Sequence, residues 1–430
     1  MKALFFFVLF FCSNQAICQV APQYSISSVD FDIETNMFGD VNGDNKVNVS
    51  DIMLIVNHIL SDSPDYETLM DINNDGSVNI SDIMIDVRII LGENVNKYEI
   101  TYPDYLKEEY EKTLEDVRQV MDDSSIVVLY ATDLHFSYKG SGYAEKALFN
   151  PIKNMFQTMK RFEMDLHPNL IFLGGDYIQL PTVSEGQTKE MGFRVLDYVN
   201  LWLNLFDSPK FLVIGNHEIN YTGNNTGYGM TIDEFYEYTQ KDIVESGIVN
   251  EVGYTHKLFY YDDEKGKTRH IFVSTGSVDY NDIVGELVET VKGTPEGWSA
   301  IAYNHYVGRD YNFEEPVFYN PLINVMRKIK ETNVDFIGWM GAHNHADVCY
   351  VLDGNVGISC LQSGAWTPGM SQDGVKYNHV AKTSSESAIT IFVIRKDLGK
   401  IYLKRWGLGR DREVNYNSHS GSVGLVSWSD

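Results

Sequence analysis

The sequence predicts an α/β domain that is preceded by a small all-α module. Three observations lead to this prediction: five short apolar runs that each end in polar residues, a duplicated acidic segment, and a length of 430 residues, which suits two domains. Hydrophobic residues make up 43% of the chain, enough for a sizeable core. The formal net charge of −26 argues against general affinity for nucleic-acid backbones or anionic lipid surfaces. It fits simple solubility, or carboxylates that hold cations.

The first twenty residues, MKALFFFVLFFCSNQAICQV, have the composition of a secretory signal peptide. One Lys precedes an apolar run that is too short to span a bilayer as a mature helix, and polar residues follow. Ala16 and Cys18 suit positions −3 and −1 of a cleavage site before Gln19. The sequence therefore predicts a signal peptide at residues 1–18, a secreted or cell-surface protein, and no later membrane span.

Two acidic segments repeat at a spacing of 31 residues: DVNGDNKVNVSDIMLIVNHIL from Asp40 and DINNDGSVNISDIMIDVRIIL from Asp71. Each has the ligand spacing of an EF-hand Ca²⁺ loop, in which position 7 binds through its backbone carbonyl. Position 6 is Asn45 or Gly76, residues that tolerate the left-handed turn of such a loop. An amphipathic helix pattern follows each loop. The predicted calcium ligands are Asp40, Asn42, Asp44, Lys46, Asn48 and Asp51 in the first loop, and Asp71, Asn73, Asp75, Ser77, Asn79 and Asp82 in the second.

This tandem of loops and following helices, with no room for an entering helix, resembles a dockerin domain over residues 38–92. Position 12 is Asp rather than the Glu of most EF-hands, and dockerin loops commonly end in Asp. The resemblance implies two bound Ca²⁺ ions, docking onto a cohesin-bearing scaffold or cell-surface protein, and a link to polysaccharide metabolism. A structural Ca²⁺ module without a partner is the alternative. Residues 93–103 are polar and predict a linker, after which a charged helix opens a second domain at residues 104–430.

Five apolar runs have the composition of buried strands: SIVVLYATDLH, NLIFLGGD, KFLVIGNHE, WSAIAYNH and FIGWMGAHNH. Each run places polar residues just past its carboxyl end, where α/β sheets bind ligands. Asp133 and His135 would point to the same side if the backbone stays extended, as would His343 and His345. The polar residues that would converge are Asp133, His135, Asp176, Asn216, His217, Glu218, His305, His343 and His345.

The order DLH, GGD, GNHE, H and GAHNH resembles the calcineurin-like metallophosphoesterases over about residues 124–415. The resemblance implies a sandwich of two mixed β-sheets flanked by helices, and a dinuclear centre that hydrolyses phosphoric esters with a metal-bridging water. One metal would be held by Asp133, His135, Asp176 and His345, and the other by Asp176, Asn216, His305 and His343. Mn, Fe and Zn all suit these mixed oxygen and nitrogen donors.

The resemblance also assigns roles to two residues that are not metal ligands. His217 would protonate the leaving oxygen or stabilise the charged transition state, with Glu218 orienting it. Whether the substrate is a phosphomonoester, a phosphodiester or a nucleotide stays open. A non-catalytic surface-binding module on the same fold is a further alternative, although all seven ligand positions are kept.

Substrate specificity is expected in the loop at about residues 219–254 and near two basic residues, Lys139 and Arg309. Either residue could grip a substrate anion or be an ordinary surface charge. Cys349 and Cys360 flank YVLDGNVGIS, which predicts a hairpin. A turn at Gly354-Asn355 would set the two cysteines opposite each other, as a disulfide or as two buried thiols. SAITIFVIRKDLGKIYLKRWGLGRDREV, near the carboxyl terminus, predicts two strands that complete a second sheet.

Overall fold

The computed structural model describes residues 38–61, 70–73, 78–93, 95, 102–136, 144–178, 189–219, 229–239, 257–275, 283–306, 320–352, 355–360, 363–364, 369–371, 375–380, 382–417 and 424–425. The predicted signal peptide and most of the predicted linker lie outside these ranges. None of the helices in these ranges is both long and apolar enough to cross a membrane.

A helix begins near the middle of each acidic segment, α1 (Val49–Ser61) in the first and α2 (Ile80–Ile90) in the second. Asn79 caps α2: its side chain accepts from Ser81 N at 2.8 Å, and Asp82 Oδ2 accepts from Asn79 N at 2.8 Å. Among the described residues of this region, a small apolar core is formed by Val41, Ile55, Met70, Ile72 and Ile85. That the whole module is all-α stays a prediction, since residues 62–69 and 74–77 are not described.

The first of two mixed sheets has the strand order β14-β13-β12-β1-β2-β3. Its first three strands in the chain run parallel, and the last three add to β1 in antiparallel fashion. The predicted carboxyl-terminal strands therefore extend the sheet of β1 rather than completing a second one. The strands are β1 (Ile126–Ala131), β2 (Leu170–Leu173), β3 (Lys210–Leu212), β12 (Ala388–Arg395), β13 (Lys400–Gly407) and β14 (Arg412–Asn415).

The second sheet has the order β11-β10-β8-β9-β7-β6-β5-β4, with β15 paired to β8. Strands β5, β6 and β7 are parallel, so the five predicted site strands divide between two sheets. The strands are β4 (Lys257–Asp263), β5 (Thr268–Ser274), β6 (Ser299–Tyr306), β7 (Asp335–Ala342), β8 (Ala346–Leu352), β9 (Asn355–Ser359), β10 (Gly369–Ser371), β11 (Lys376–Tyr377) and β15 (Gly424–Leu425).

Aromatic side chains join the two sheets face to face. The ring centroids of Phe211 (β3) and Phe272 (β5) are 4.3 Å apart, and those of Phe172 (β2) and Tyr303 (β6) are 4.8 Å apart. Helices flank the sheets, which confirms the predicted fold class. They are α3 (Asp104–Val120), α4 (Ala144–Leu166), α5 (Lys189–Leu203), α6 (Asn216–Ile219), α7 (Ile232–Thr239), α8 (Val284–Lys292) and α9 (Asn320–Lys330), with a 3-10 turn at Ser384–Glu386.

Two local predictions were wrong. His305 lies inside β6, which continues to Tyr306, rather than past the end of the strand. In the β8–β9 hairpin Leu352 pairs with Asn355, so Asn355 belongs to the strand, and Cys349 lies opposite Ile358 instead of Cys360. Both cysteines are buried and carry free thiols.

Candidate metal centre

The carboxyl ends of four strands and the body of a fifth bring the predicted ligands together. Asp133 and Asp176 follow β1 and β2, and His343 and His345 occupy the turn between β7 and β8. His305 is held within β6. Asn216, His217 and Glu218 form the short helix α6 after β3.

Five of these ligands have left-handed backbone conformations. The φ angles are +50° at Asp133, +46° at His135, +53° at Asp176, +71° at His343 and +51° at His345. The condition for the two i, i+2 pairs to point to the same side as in a strand, an extended backbone, is therefore not met. Such conformations cost about 1–3 kcal/mol per residue in non-glycine residues and cluster at functional sites. The strained backbone at these residues thus turns their side chains into the site.

The first donor group consists of Asp133, His135 and His345, all of which are buried. Asp133 Oδ1 lies 3.3 Å from His345 Nε2 and 3.8 Å from His135 Nε2. The two imidazole Nε2 atoms are 2.9 Å apart. Three ligand atoms therefore converge on a space that could hold one metal ion.

The second donor group consists of Asp176, His305 and His343. Asp176 Oδ2 lies 3.2 Å from His305 Nε2, and Asn216 Oδ1 lies 3.1 Å from the same nitrogen. His305 Nδ1 is 2.7 Å from Gly174 O, so an N–H at Nδ1 donates to this carbonyl and Nε2 faces the ligands. This is the usual support for a metal-binding histidine.

Asp176 also forms a third combination of ligand atoms with His135 and His217. His217 Nε2 is 3.9 Å from Asp176 Oδ2, and the His217 ring centroid is 4.5 Å from that of His135. The His217 side chain is 21% exposed, whereas that of Asp176 is 2% exposed. His217 therefore lies at the open side of the cluster, close to the ligands.

The protonation states of the donor set suit divalent transition metals. Burial lowers the pKa of His135 to about 3, and burial with the neighbouring His305 lowers that of His343 to about 4. Both rings are therefore neutral and offer lone pairs. Burial raises the pKa of Asp176, but the facing histidines, His305 first, lower it well below its usual range. Neutral imidazoles and ionised carboxylates are the ligands that Mn, Fe and Zn accept.

His305 differs from its neighbours. Burial alone would lower its pKa, but the Asp176 carboxylate raises it to about 9. Without a cation the second donor group is thus held together by a charge-assisted contact between these two side chains.

The Glu218 carboxylate makes its hydrogen bonds to the loops that carry the ligands. It accepts from Asp176 N at 3.0 Å, from Gly215 N at 2.7 Å and from Ile178 N at 3.1 Å. Burial, followed by the Asp176 carboxylate, raises its pKa to about 7. That it orients the His217 ring stays a prediction.

The predicted calcium loops are described in part. In the first loop Asp51 Oδ1 accepts from Val41 N at 3.0 Å and Asn42 N at 3.1 Å, and Asp40 Oδ1 accepts from Asp44 N at 3.1 Å. Asn45 has a φ of +62°, as predicted for position 6.

In the second loop Asp82 Oδ1 accepts from Asn73 N at 3.2 Å. The corresponding carboxylate of the first loop, Asp51, makes the equivalent bond to Asn42 N. The two loops therefore share this part of their geometry. The predicted ligands Asp75 and Ser77 lie outside the described residues, as do Lys139 and Arg309, the candidates for binding the substrate.

One buried ion pair beside the site was not foreseen. Arg405 of β13 contacts Asp347 of β8, two residues beyond His345, and also contacts Thr390. In KIYLKRWG the alternation of the strand puts Arg405 on the same buried face as Ile401 and Leu403. This alternation is the sequence signal that could have identified the arginine as buried.

The comparisons with known proteins agree with this geometry. A family model for calcineurin-like phosphoesterases matches residues 126–347, just over half of the chain, and one for dockerin type I domains matches residues 38–91. The chain therefore belongs to the calcineurin-like phosphoesterases, which makes it a metallophosphoesterase. It also carries a dockerin type I domain.

Solved structures that match this chain include a dimetal phosphatase from Danio rerio, at 10% identity and a TM-score of 0.42, and the match covers 68% of this chain and 99% of that chain. A purple acid phosphatase from yellow lupin (Lupinus luteus) matches at 14% identity and a TM-score of 0.43, and the match covers 71% of this chain and 53% of that chain. A putative 5'-nucleotidase from Staphylococcus aureus matches at 11% identity and a TM-score of 0.36, and the match covers 69% of this chain and 55% of that chain. No curated protein matches the chain.

Proposed function

We propose that the protein is a secreted, metal-dependent hydrolase of phosphoric esters that docks through its dockerin. The observation that carries the proposal is the position of Asp176. Its carboxylate belongs to the second donor group and also to the combination with His135 and His217. A carboxylate placed in this way is suited to be shared by two metal ions.

The proposed ligand sets follow the two donor groups. Asp133, His135 and His345 hold one ion, and Asn216, His305 and His343 hold the other, with Asp176 shared between them. Two bound cations would supply a water of lowered pKa and positive charge at the phosphoryl oxygens. The acidic chain has few cations of its own for this purpose, with 34 Lys and Arg against 60 Asp and Glu.

His217 is proposed to act on the substrate rather than on a metal. Burial lowers its pKa below the usual value for histidine, partly offset by Asp176, so the ring is neutral at pH 7. A neutral imidazole donates a single N–H. Hydrogen bonding to a phosphoryl or leaving oxygen is therefore favoured over transfer of a full proton from an imidazolium.

The amino-terminal part is proposed to serve location rather than catalysis. The signal peptide would cover residues 1–18, the Ca²⁺-binding dockerin 38–92, the linker 93–103 and the catalytic domain 104–430. Large apolar side chains are exposed on both helices and at the end of α2, in pairs 31 residues apart, which supports docking to a cohesin on a scaffold or cell surface. These pairs are Val49 and Ile80, Met53 and Met84, Ile59 and Ile90, and Leu60 and Leu91.

The test is hydrolysis of p-nitrophenyl phosphate and its bis ester by metal-stripped protein reconstituted with Mn²⁺, Zn²⁺ or Fe²⁺. We expect activity that depends on added metal and is lost in Asp176→Asn. Asp335→Asn is the matched control. Asp335 begins β7, at the end of the strand far from His343, and this variant should keep activity. If the protein binds two metals but hydrolyses neither ester, the proposal that it is a general hydrolase of phosphoric esters is rejected. The ratio of the two rates distinguishes monoester from diester preference.

A further inference from the structure

Two carboxylates connect the loop after β2 to the turn after β3. Each carboxylate belongs to one of these segments and accepts a hydrogen bond from the backbone of the other. Asp176 N and Gly215 N both donate to Glu218 Oε2, at 3.0 Å and 2.7 Å. In return His217 N donates to Asp176 Oδ1 at 2.9 Å. These bonds leave Asp176 Oδ2 facing His305 Nε2.

The two segments meet backbone to backbone, without room for side chains between them. A Cβ atom at Gly215 would lie 2.2 Å from Asp176 Oδ1 and 2.4 Å from Asp176 N. A Cβ atom at Gly175 would lie 2.9 Å from Gly215 N. Glu218, which is only 1% exposed, is thus the side chain that spans this contact.

Among the described residues, the Glu218 carboxylate accepts three hydrogen bonds, and all three donors are backbone N–H groups. Oε2 serves Asp176 and Gly215, and Oε1 serves Ile178 at 3.1 Å. An ionised carboxylate is an acceptor at both oxygens, so it can satisfy the three donors together. No neutral side chain of the same size offers two such acceptors.

We propose that Glu218 is a positioning residue for the metal pair: it fixes the shared ligand Asp176 at the distance from Asn216 and His305 that lets both ions use one carboxylate. The inference rests on the proposed dinuclear function. It differs from a role in orienting His217, because it predicts an effect on metal binding and not only on turnover.

The test compares wild type and Glu218→Gln after metal stripping and titration with Mn²⁺. Two Mn²⁺ ions that share a carboxylate give a spin-coupled electron paramagnetic resonance signal that isolated ions do not. Gln keeps the size but turns one acceptor into an NH₂ group that faces a backbone N–H. We expect E218Q to bind its second Mn²⁺ roughly 10–100-fold more weakly. The coupled signal should be absent at two equivalents of Mn²⁺.

The possible outcomes separate this inference from the proposed function. If E218Q shows wild-type Mn²⁺ affinity and coupling, the positioning role is refuted, whether or not turnover falls. If wild type itself never takes up a coupled pair, the dinuclear function fails, and the inference with it. Should E218Q fail to fold, Glu218→Asp keeps the charge on a shorter side chain. E218D should then also weaken the second site, and wild-type affinity there would refute the proposal.

Glu163 provides a matched control. It is also a buried glutamate that accepts from two backbone N–H groups, Asp207 N at 2.7 Å and Ser208 N at 2.6 Å. These residues precede β3, whereas Gly215 and Glu218 follow it. Glu163→Gln should lower the melting temperature but leave both Mn²⁺ affinities and the coupled signal unchanged. A general loss of stability would affect both variants alike, whereas positioning affects E218Q alone.

Discussion

At the scale of single residues, the shared ligand depends on glycines as much as on charged groups. Gly175 has a φ of +96°, and Gly215 lies against the Asp176 carboxylate. A side chain at either position would push the loop after β2 away from the turn after β3. The spacing of the ligands is thus set by the absence of Cβ atoms.

Gly215→Ala should therefore disrupt the second metal site. The added methyl group would lie within 2.5 Å of Asp176, and the loop must shift to relieve the clash. We expect affinity for the second metal to fall by roughly tenfold or more, measured by metal titration. Gly285→Ala in α8 is the control, because a Cβ atom there meets nothing within 4 Å. It should leave metal uptake unchanged, and equal uptake by both variants would contradict the argument.

His217→Ala should separate ligation from chemistry. The ring is close enough to Asp176 and His135 to join a metal site, yet it lies on the partly exposed side. If its role is hydrogen bonding to the substrate, turnover should fall by roughly 10²–10⁴-fold with metal content nearly intact. Elemental analysis decides the question: loss of one metal would make His217 a ligand.

The motifs predicted which residues converge, but not how. An extended backbone would turn the paired side chains of D-x-H and H-x-H to one side, whereas these four residues and Asp176 have left-handed φ angles. Left-handed φ angles are uncommon in non-glycine residues, although Asp and His adopt them more readily than most. Motif spacing does not encode them, so the conformation follows from the tertiary structure around the site. The spacing of the motifs likewise does not predict the hydrogen bonds of Glu218 to three backbone amides.

At the scale of elements, a buried ion pair connects the two sheets behind the ligands. Asp347 in β8 belongs to the nine-stranded sheet and Arg405 in β13 to the six-stranded sheet. Both side chains are almost fully buried. The pair therefore links the strand that follows His345 to the opposite layer.

Removing one partner of this ion pair should lower the unfolding free energy strongly, whereas replacing both partners by apolar residues should lower it little. Arg405→Met leaves the Asp347 charge buried, and we expect a loss of about 3–5 kcal/mol in unfolding free energy. The double variant Arg405→Met with Asp347→Leu should recover most of that loss, since neither charge remains. Urea unfolding of metal-free protein measures both. A double variant as unstable as the single one would show that the pair contributes more than charge balance.

The strands themselves were predictable, whereas their partners were not. The composition of IVVLYA or LIFL indicates a buried strand because β-branched and aromatic residues suit that environment. Pairing is decided over long sequence distances, as where β12 joins β1. The β8–β9 turn was misplaced by one residue, and this moved the expected partner of Cys349 by two positions.

At the scale of the whole molecule, the charge of −26 includes the carboxylates of the predicted metal and calcium ligands. Asp51 and Asp82 end the two predicted calcium loops and are fully buried. Burying such charges is costly unless they are paired or bind a cation. Both loops are therefore expected to depend on Ca²⁺.

A peptide of residues 38–92 should be largely unfolded in chelator and gain helix on adding Ca²⁺. The part of the module that the structure describes has a core of five buried apolar residues, which is small, so ion binding must supply much of the folding free energy. Circular dichroism measures the change. Asp40→Ala or Asp71→Ala should each weaken the response. Identical spectra with and without Ca²⁺ would refute the dependence.

The most direct test of the account is the number of transition-metal ions bound per chain. Elemental analysis of full-length protein, reconstituted with Mn²⁺, Zn²⁺ or Fe²⁺ and freed of excess ion, should give about two per chain, a count that follows from two donor groups sharing one carboxylate. Asp176→Asn should bring the count to one or fewer. A wild-type protein that binds no such ion after reconstitution, or an Asp176→Asn variant that keeps two, would contradict the assignment of a dinuclear centre.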